Sequence, residues 1–143
     1  MSDETLTILL IVAAFAALAW PRLRGLLGLG GGVPAAEIKA RLESGAAIVV
    51  LDVRSRQEAA GGSLPGAINI PLLELASRVQ ELITAAAARP DTGIVLVCQS
   101  GPRAERAAVI LMSAGLRKFT VLKGGVAAWR KAGYALAEVS EKK

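Results

Sequence analysis

The chain has 143 residues, of which 53% are hydrophobic and only 3% aromatic, and its formal net charge is +5 at pH 7. This length provides for one domain with an ordinary core and excludes a second catalytic domain. The basic residues are scattered and are not interleaved with aromatic residues, so we expect no nucleic-acid partner.

The sequence contains one cysteine and no histidine. A disulfide within the chain and a Cys/His zinc site are therefore excluded. The Ser-His and Cys-His arrangements of nucleophilic catalysis are excluded as well, so a nucleophile has to be activated by other means. We expect no metal and no cofactor.

Residues 5–20, TLTILLIVAAFAALAW, form an apolar run without charged residues. A run of about 17 residues is at the short end of what spans a bilayer, and Trp20 suits an interface. We predict a transmembrane anchor in residues 1–20. A cleaved signal peptide is one alternative, but the start MSDE is acidic where a signal peptide is basic. A buried helix of a soluble protein is the other.

Arg22 and Arg24 directly follow the apolar run. Because cytoplasmic flanks are enriched in basic residues, they predict a single-pass membrane protein whose globular part faces the cytoplasm. Residues 21–32 end in GLGGG and are predicted to be a flexible linker. Residues 33–137 are predicted to form one domain, and residues 138–143 a frayed tail.

The first half of the domain begins with a helical pattern, AAEIKARLES, which follows Pro34 and is closed by Gly45. Residues 47–53, AIVVLDV, are a continuous apolar run with β-branched residues that ends at an acid, which is typical of a strand buried on both faces. A polar stretch follows. The turn LPGA and a short strand, INI, then lead to Pro71.

The second half continues the alternation of helices and strands. Residues 72–83 repeat apolar residues at helical spacing, and residues 94–98, IVLVC, predict a second buried strand. Residues 104–115 predict a helix, and FTVL a strand. The stretch GGVAAWRKAGY predicts a final helix, whose GG turn is a candidate neighbour of the site. This order predicts an α/β fold with a mostly parallel central sheet flanked by helices, which binds ligands at the carboxyl ends of its strands.

Cys98 lies at such a carboxyl end, and the loop CQSGPR connects it to the helix predicted from Ala104. Backbone N–H groups in a short strand-loop-helix turn point inward, and the helix N-terminus adds partial positive charge. Such a cradle stabilises a thiolate without histidine. Arg103 presents a forked, permanent cation suited to an oxyanion or a persulfide. The alternative is that Cys98 is an unreactive buried hydrophobe.

Four segments share a pattern with a known family: LDVRS, SLPGAINIP, VCQSGPRA and LKGGVAAW. In their order and approximate spacing they resemble signature segments of single-domain rhodanese-like sulfurtransferases. The resemblance spans about residues 34–137. It implies a rhodanese-like three-layer fold, here preceded by one transmembrane helix.

The resemblance also implies the roles of the loop. Cys98 would be the catalytic sulfur carrier, accepting a sulfane sulfur as a persulfide, with Arg103 as a second catalytic residue. Gln99, Ser100, Gly101 and Arg103 would bind the sulfur through their backbone amides. The donor would be a small sulfane-sulfur compound, and the acceptor a thiol, cyanide or a protein. Phosphatases of similar fold have a loop one residue longer, which suits phosphate, so the shorter loop here favours sulfur transfer.

Asp52 and Arg54 would support the site through buried polar contacts, the alternative being an ordinary ion pair between them or with Glu58. The sequence departs from the family pattern at three positions. Ser63 stands where a histidine is common, which we expect to change a local hydrogen bond. Pro102 has no N–H to give to the cradle. Gln99 is neutral where enzymes that prefer thiosulfate often carry a basic residue.

Two other functions stay open at this point. One is a membrane-tethered binding or regulatory module, in which turnover is incidental. The other is a thiol redox sensor, which the lack of a second, resolving cysteine disfavours.

Overall fold

The computed structural model describes residues 2–26, 32–88 and 91–139. The chain divides into two compact units, residues 1–31 and residues 32–143.

The described part of the first unit, residues 2–26, contains one helix, α1 (Asp3–Leu26). Its segment Asp3–Trp20 has a mean hydropathy of 1.7 and is long and apolar enough to cross a membrane, although a signal sequence has the same properties. The helix runs beyond the predicted end of the anchor at residue 20. Pro21 removes one helical hydrogen bond, but the Leu and Arg residues that follow are good helix formers. Residues 27–31 of the predicted linker lie outside the described residues.

Helices and strands alternate along the sequence of the second unit. Its elements are α2 (Ala35–Glu43), β1 (Ile48–Asp52), α3 (Arg56–Ala60), β2 (Ile68–Asn69), α4 (Leu72–Ala87), β3 (Gly93–Val97), α5 (Pro102–Ser113), β4 (Phe119–Val121) and α6 (Gly125–Lys131). The sheet has the strand order β2-β1-β3-β4, and all its pairings are parallel. The predicted α/β fold with a parallel sheet between helices is confirmed.

Alternate side chains of the strands fill two separate cores. Leu51 and Leu96 belong to a core that also contains buried residues of α4 and α5. Val50 and Val95 belong to a second core on the other face, with buried residues of α2 and α6. Both faces of β1 and β3 are therefore covered, which explains why β3 and the residues of β1 before Asp52 are continuously apolar. Cys98 continues this alternation onto the α4 and α5 face.

Two elements differ from the sequence-based expectation. The helix predicted from Ala104 begins at Pro102. The fixed φ of proline suits the first helical position, and an N–H at that position would have no hydrogen-bond partner within the helix. The polar stretch after β1 contains α3, which begins with a capping box. Ser55 accepts a hydrogen bond from the Glu58 N–H, and the Glu58 carboxylate accepts one from the Ser55 N–H.

A segment near the end of the domain pairs with a segment near its middle. Ser63 and Ala137 form an antiparallel bridge, with N–H to O distances of 2.9 and 2.8 Å. Of the predicted tail, residues 140–143 lie outside the described residues.

Candidate active site around Cys98

Cys98 follows the last residue of β3, and its side chain is turned toward the loop that leads to α5. The Gly101 N–H donates a hydrogen bond to Cys98 Sγ at 2.9 Å. The residue is only 1% exposed, whereas Gln99 and Ser100 are exposed. The thiol therefore lies just beneath an exposed turn, with one main-chain donor directed at its sulfur.

Gly101 makes the sharp turn between the strand and the helix. Its φ of 131° lies in a region that residues with a Cβ rarely adopt. In this conformation its N–H reaches Cys98 Sγ, while its carbonyl oxygen accepts a hydrogen bond from the Glu105 N–H at 3.1 Å. One residue thus connects the sulfur to the first turn of α5. Pro102, which has no N–H to donate, occupies the first position of the helix.

The amino end of α6 holds the other side of the loop. Val126 N–H donates to the Cys98 carbonyl at 2.9 Å, and Ala127 N–H donates to the Gln99 carbonyl at 3.1 Å. Every peptide bond in the described parts of the chain is trans. Since N–H and C=O point in opposite directions across a trans peptide, the N–H groups of Gln99 and Ser100 point away from α6. The GG turn before α6 therefore does border the loop.

Asp52 and Arg54 form a buried ion pair at the carboxyl end of β1. Asp52 is 0% and Arg54 2% exposed. Arg54 Nε lies 3.1 Å from Asp52 Oδ1, and Arg54 Nη2 lies 2.7 Å from Oδ2. The Arg54 N–H also donates to Oδ1, at 2.9 Å. The desolvation of both charges is thus offset by several charge-assisted hydrogen bonds.

Two neighbours complete this buried network. The Ser63 hydroxyl donates to Asp52 Oδ2 at 2.7 Å, and Arg54 Nη2 donates to the Gly62 carbonyl at 2.7 Å. Ser63, which replaces the histidine common in the family pattern, is therefore a buried donor to the carboxylate.

Arg54 also reaches the cysteine loop. Its Nη1 donates to Gln99 Oε1 at 3.3 Å, across 45 positions of sequence. Asp52 holds the guanidinium from one side, so this contact connects a rigid, buried group with an exposed side chain next to Cys98. The buried pair thus contacts the cysteine loop through Arg54.

Arg103 lies in the first turn of α5 and pairs with Glu58 of α3. Its Nη1 and Nη2 donate to Glu58 Oε2 and Oε1 at 2.7 and 2.8 Å. The hydrogen bonds from Arg103 are the main cause that lowers the pKa of Glu58 from 4.5 to about 2, with a further contribution from the Ser55 N–H. The same bonds raise the pKa of Arg103.

This pairing differs from the sequence-based expectation in one respect. The sequence offers Glu58 as a possible partner of Arg54, but its carboxylate binds Arg103. The spacing Ser55-x-x-Glu58 indicates the capping box that begins α3, and it is the one local signal that could have placed Glu58. The pairing of Glu58 with Arg103, 45 positions away, could not be predicted from the sequence.

Comparison with known proteins agrees with this geometry. Residues 34–132 match the family model of the rhodanese-like domain. The chain is 41% identical over 87 residues to a thiosulfate:glutathione sulfurtransferase of Homo sapiens, covering 55% of this chain and 75% of that protein. It is 30% identical over 86 residues to a sulfurtransferase of Allochromatium vinosum, covering 60% and 75%.

Among solved structures, a human single-domain sulfurtransferase superposes with a TM-score of 0.59 at 34% identity, covering 70% of this chain and 95% of that one. The family match covers well over half of the sequence, and sulfurtransferases are among the homologues. This protein therefore belongs to the rhodanese-like domain family.

Proposed function

We propose that the protein is a sulfurtransferase that carries sulfur on Cys98 as a persulfide. The observation that supports this most directly is the hydrogen bond from the Gly101 N–H to Cys98 Sγ in a tight turn between β3 and α5. A main-chain donor directed at the sulfur stabilises a sulfur anion without help from histidine. The sulfurtransferases among the relatives support the same chemistry.

The reaction has two halves. In the first, the Cys98 thiolate attacks the sulfane sulfur of a donor, the new S–S bond forms, and the donor's own S–S bond breaks. The electron pair leaves with the rest of the donor, which is sulfite when the donor is thiosulfate. In the second, a thiol, cyanide or a protein thiol attacks the outer sulfur, and Cys98 leaves as the thiolate.

Residues around the loop support these steps in different ways. The N–H groups of Gln99, Ser100 and Gly101 bind the sulfur anion, since α6 binds the Cys98 and Gln99 carbonyls on the opposite side. Arg54 positions Gln99. Arg103 lies in the first turn of α5, beside the loop, where Glu58 binds its guanidinium.

The test is the intact mass of the protein after incubation with thiosulfate, glutathione persulfide or mercaptopyruvate. Because the chain has one cysteine, a gain of about 32 Da reports a persulfide at a single position. We expect the gain in the native protein, its loss on treatment with cyanide, and no gain in Cys98→Ser. An unchanged mass with every donor would overturn the proposal.

A second candidate function is a membrane-tethered binding or regulatory module. The near-complete burial of Cys98 favours it, because a donor has only a small opening to the sulfur. This function predicts that Cys98→Ser retains full activity in cells that depend on the protein. The sulfurtransferase predicts that the same variant fails.

For α1 we propose a single-pass membrane anchor with the rhodanese-like domain facing the cytoplasm. The apolar length of Asp3–Trp20 supports insertion, and the basic residues after it support this orientation. A signal sequence differs in that it is removed, so the mass of the protein isolated from cells distinguishes the two.

A further inference from the structure

The two guanidinium groups associated with the cysteine loop are each bound by a carboxylate at two points. Arg54, which contacts Gln99, is held by Asp52, and Arg103 is held by Glu58. The charges of each pair cancel. The remaining residues of the loop, Gln99–Pro102, carry no charge.

Glu58 is fixed in its position from two sides. One carboxylate oxygen, Oε2, accepts the Ser55 N–H at 2.9 Å and Arg103 Nη1 at 2.7 Å, while Oε1 accepts Arg103 Nη2 at 2.8 Å. The first contact belongs to the capping box of α3 and the others to α5. Because the capping box already holds the carboxylate, pairing with Arg103 costs Glu58 less side-chain entropy than most exposed ion pairs cost.

We propose that Glu58 is a specificity-determining residue that directs Cys98 away from dianionic sulfur donors. By binding both terminal nitrogens of Arg103, it occupies the end-on bidentate face that the guanidinium would offer to a sulfonate, and its own negative charge repels a second anion. Donors that bring less charge beside the reacting sulfur are favoured: persulfides of thiols and thiosulfonates over inorganic thiosulfate. This inference rests on the sulfurtransferase function proposed above.

Two donors that differ by one charge provide the test. Thiosulfate is a dianion, whereas methanethiosulfonate is a monoanion that has a methyl group in place of one oxygen. Both react in the same way: Cys98 Sγ forms a bond to the terminal sulfur, the donor S–S bond breaks, and sulfite or methanesulfinate leaves with the electron pair. Thiocyanate formed with cyanide as acceptor gives kcat/KM for each donor in the full-length protein.

The informative variant is Glu58→Gln, because glutamine also satisfies the capping box while the charge is lost. We expect the thiosulfate to methanethiosulfonate ratio of kcat/KM to rise about three- to tenfold, as one unit of repulsion at close range disappears. The rise should shrink with added salt. Glu43→Gln is the matched control. It also removes a carboxylate paired with a cation, Lys39, but on α2, and its ratio should stay at the native value.

Removing the positive charge of Arg103 as well tests whether Arg103 is responsible for the rise in the ratio. In Glu58→Gln/Arg103→Gln the ratio should fall back to the native value or below, because the gain depends on a released guanidinium. A ratio that is the same in Glu58→Gln and the native protein overturns the inference while both donors still load Cys98. If neither donor nor a thiol persulfide loads the native protein, the sulfurtransferase proposal fails and this inference with it. Circular dichroism confirms that each variant is folded.

Discussion

Gly125 lies so close to the main chain of Cys98 that a Cβ at this glycine would be 2.3 Å from the Cys98 carbonyl oxygen. The backbone of Gly125 has a φ of 61°. The first residue of α6 therefore has to be glycine for steric and conformational reasons together, and the close approach lets the helix bind the loop carbonyls.

Gly125→Ala should consequently damage both the fold and the loop. We expect a loss of about 3 kcal/mol or more in the free energy of unfolding, measured by urea denaturation, and a strong decrease in persulfide formation on Cys98. Gly45→Ala is the control, because Gly45 has a φ of 73° with open space around it. It should cost only about 1–2 kcal/mol. Equal losses in the two variants would contradict the role of the contact with Cys98.

Ser63→Ala removes a buried hydrogen bond to Asp52 Oδ2. The carboxylate cannot recover this bond from water, since it is fully buried. We expect a loss of about 1–3 kcal/mol in the free energy of unfolding. Ser77→Ala removes an exposed hydroxyl that bonds to its own helix and should change stability by less than about 0.5 kcal/mol. The prediction is wrong if the two serines behave alike.

The ion pair of Glu58 and Arg103 makes a pH-dependent contribution to stability. The pKa of Glu58 is lowered from 4.5 to about 2 in the folded protein, so acid protonates this group in the unfolded chain first. The contribution is complete above about pH 4.5 and is lost as the pH falls toward 2. The stability difference between native protein and Glu58→Gln should therefore be constant at neutral pH and shrink below pH 4.5. Thermal unfolding at a series of pH values measures it, and a constant difference down to pH 2 contradicts the pairing.

Val12 lies near the middle of the apolar segment of α1. An arginine there costs about 2.5–3.5 kcal/mol in a membrane-spanning helix. We expect the native protein to stay in the membrane pellet after carbonate extraction and Val12→Arg to be partly released. The control is Leu73→Arg in α4, whose side chain is 98% exposed. Release of the native protein itself would refute the anchor.

The order of elements could be predicted because each has a local pattern. Residues 47–51 and 94–98 are continuously apolar, as strands between two helical layers are, and they form most of β1 and β3. The predicted start of α5, Ala104, lies two residues after the observed start, Pro102. Pro102 was considered for its missing N–H, although proline also favours the first position of a helix.

The site could be predicted only in part. The loop after Cys98 follows from strand, glycine and helix in sequence, so its place at the carboxyl edge of the sheet was predictable. The partners of the charged groups around the loop could not be predicted. Gln99 meets Arg54, and Arg103 meets Glu58, each across 45 positions. Contacts at such separations are set by how the strands, loops and helices pack in the tertiary structure, which has no local signature.

The bridge between Ser63 and Ala137 has a consequence for biosynthesis. Ser63 is translated well before Ala137, and the segment that contains Ala137 also lies against Gly62, since a Cβ at Gly62 would be 3.0 Å from Leu136. A ribosome-bound chain can thus assemble its sheet before the cover over the Asp52 and Arg54 network exists. A premature stop codon upstream of Leu136 would leave these charges open to water, and such a fragment would be an early substrate for cellular proteases.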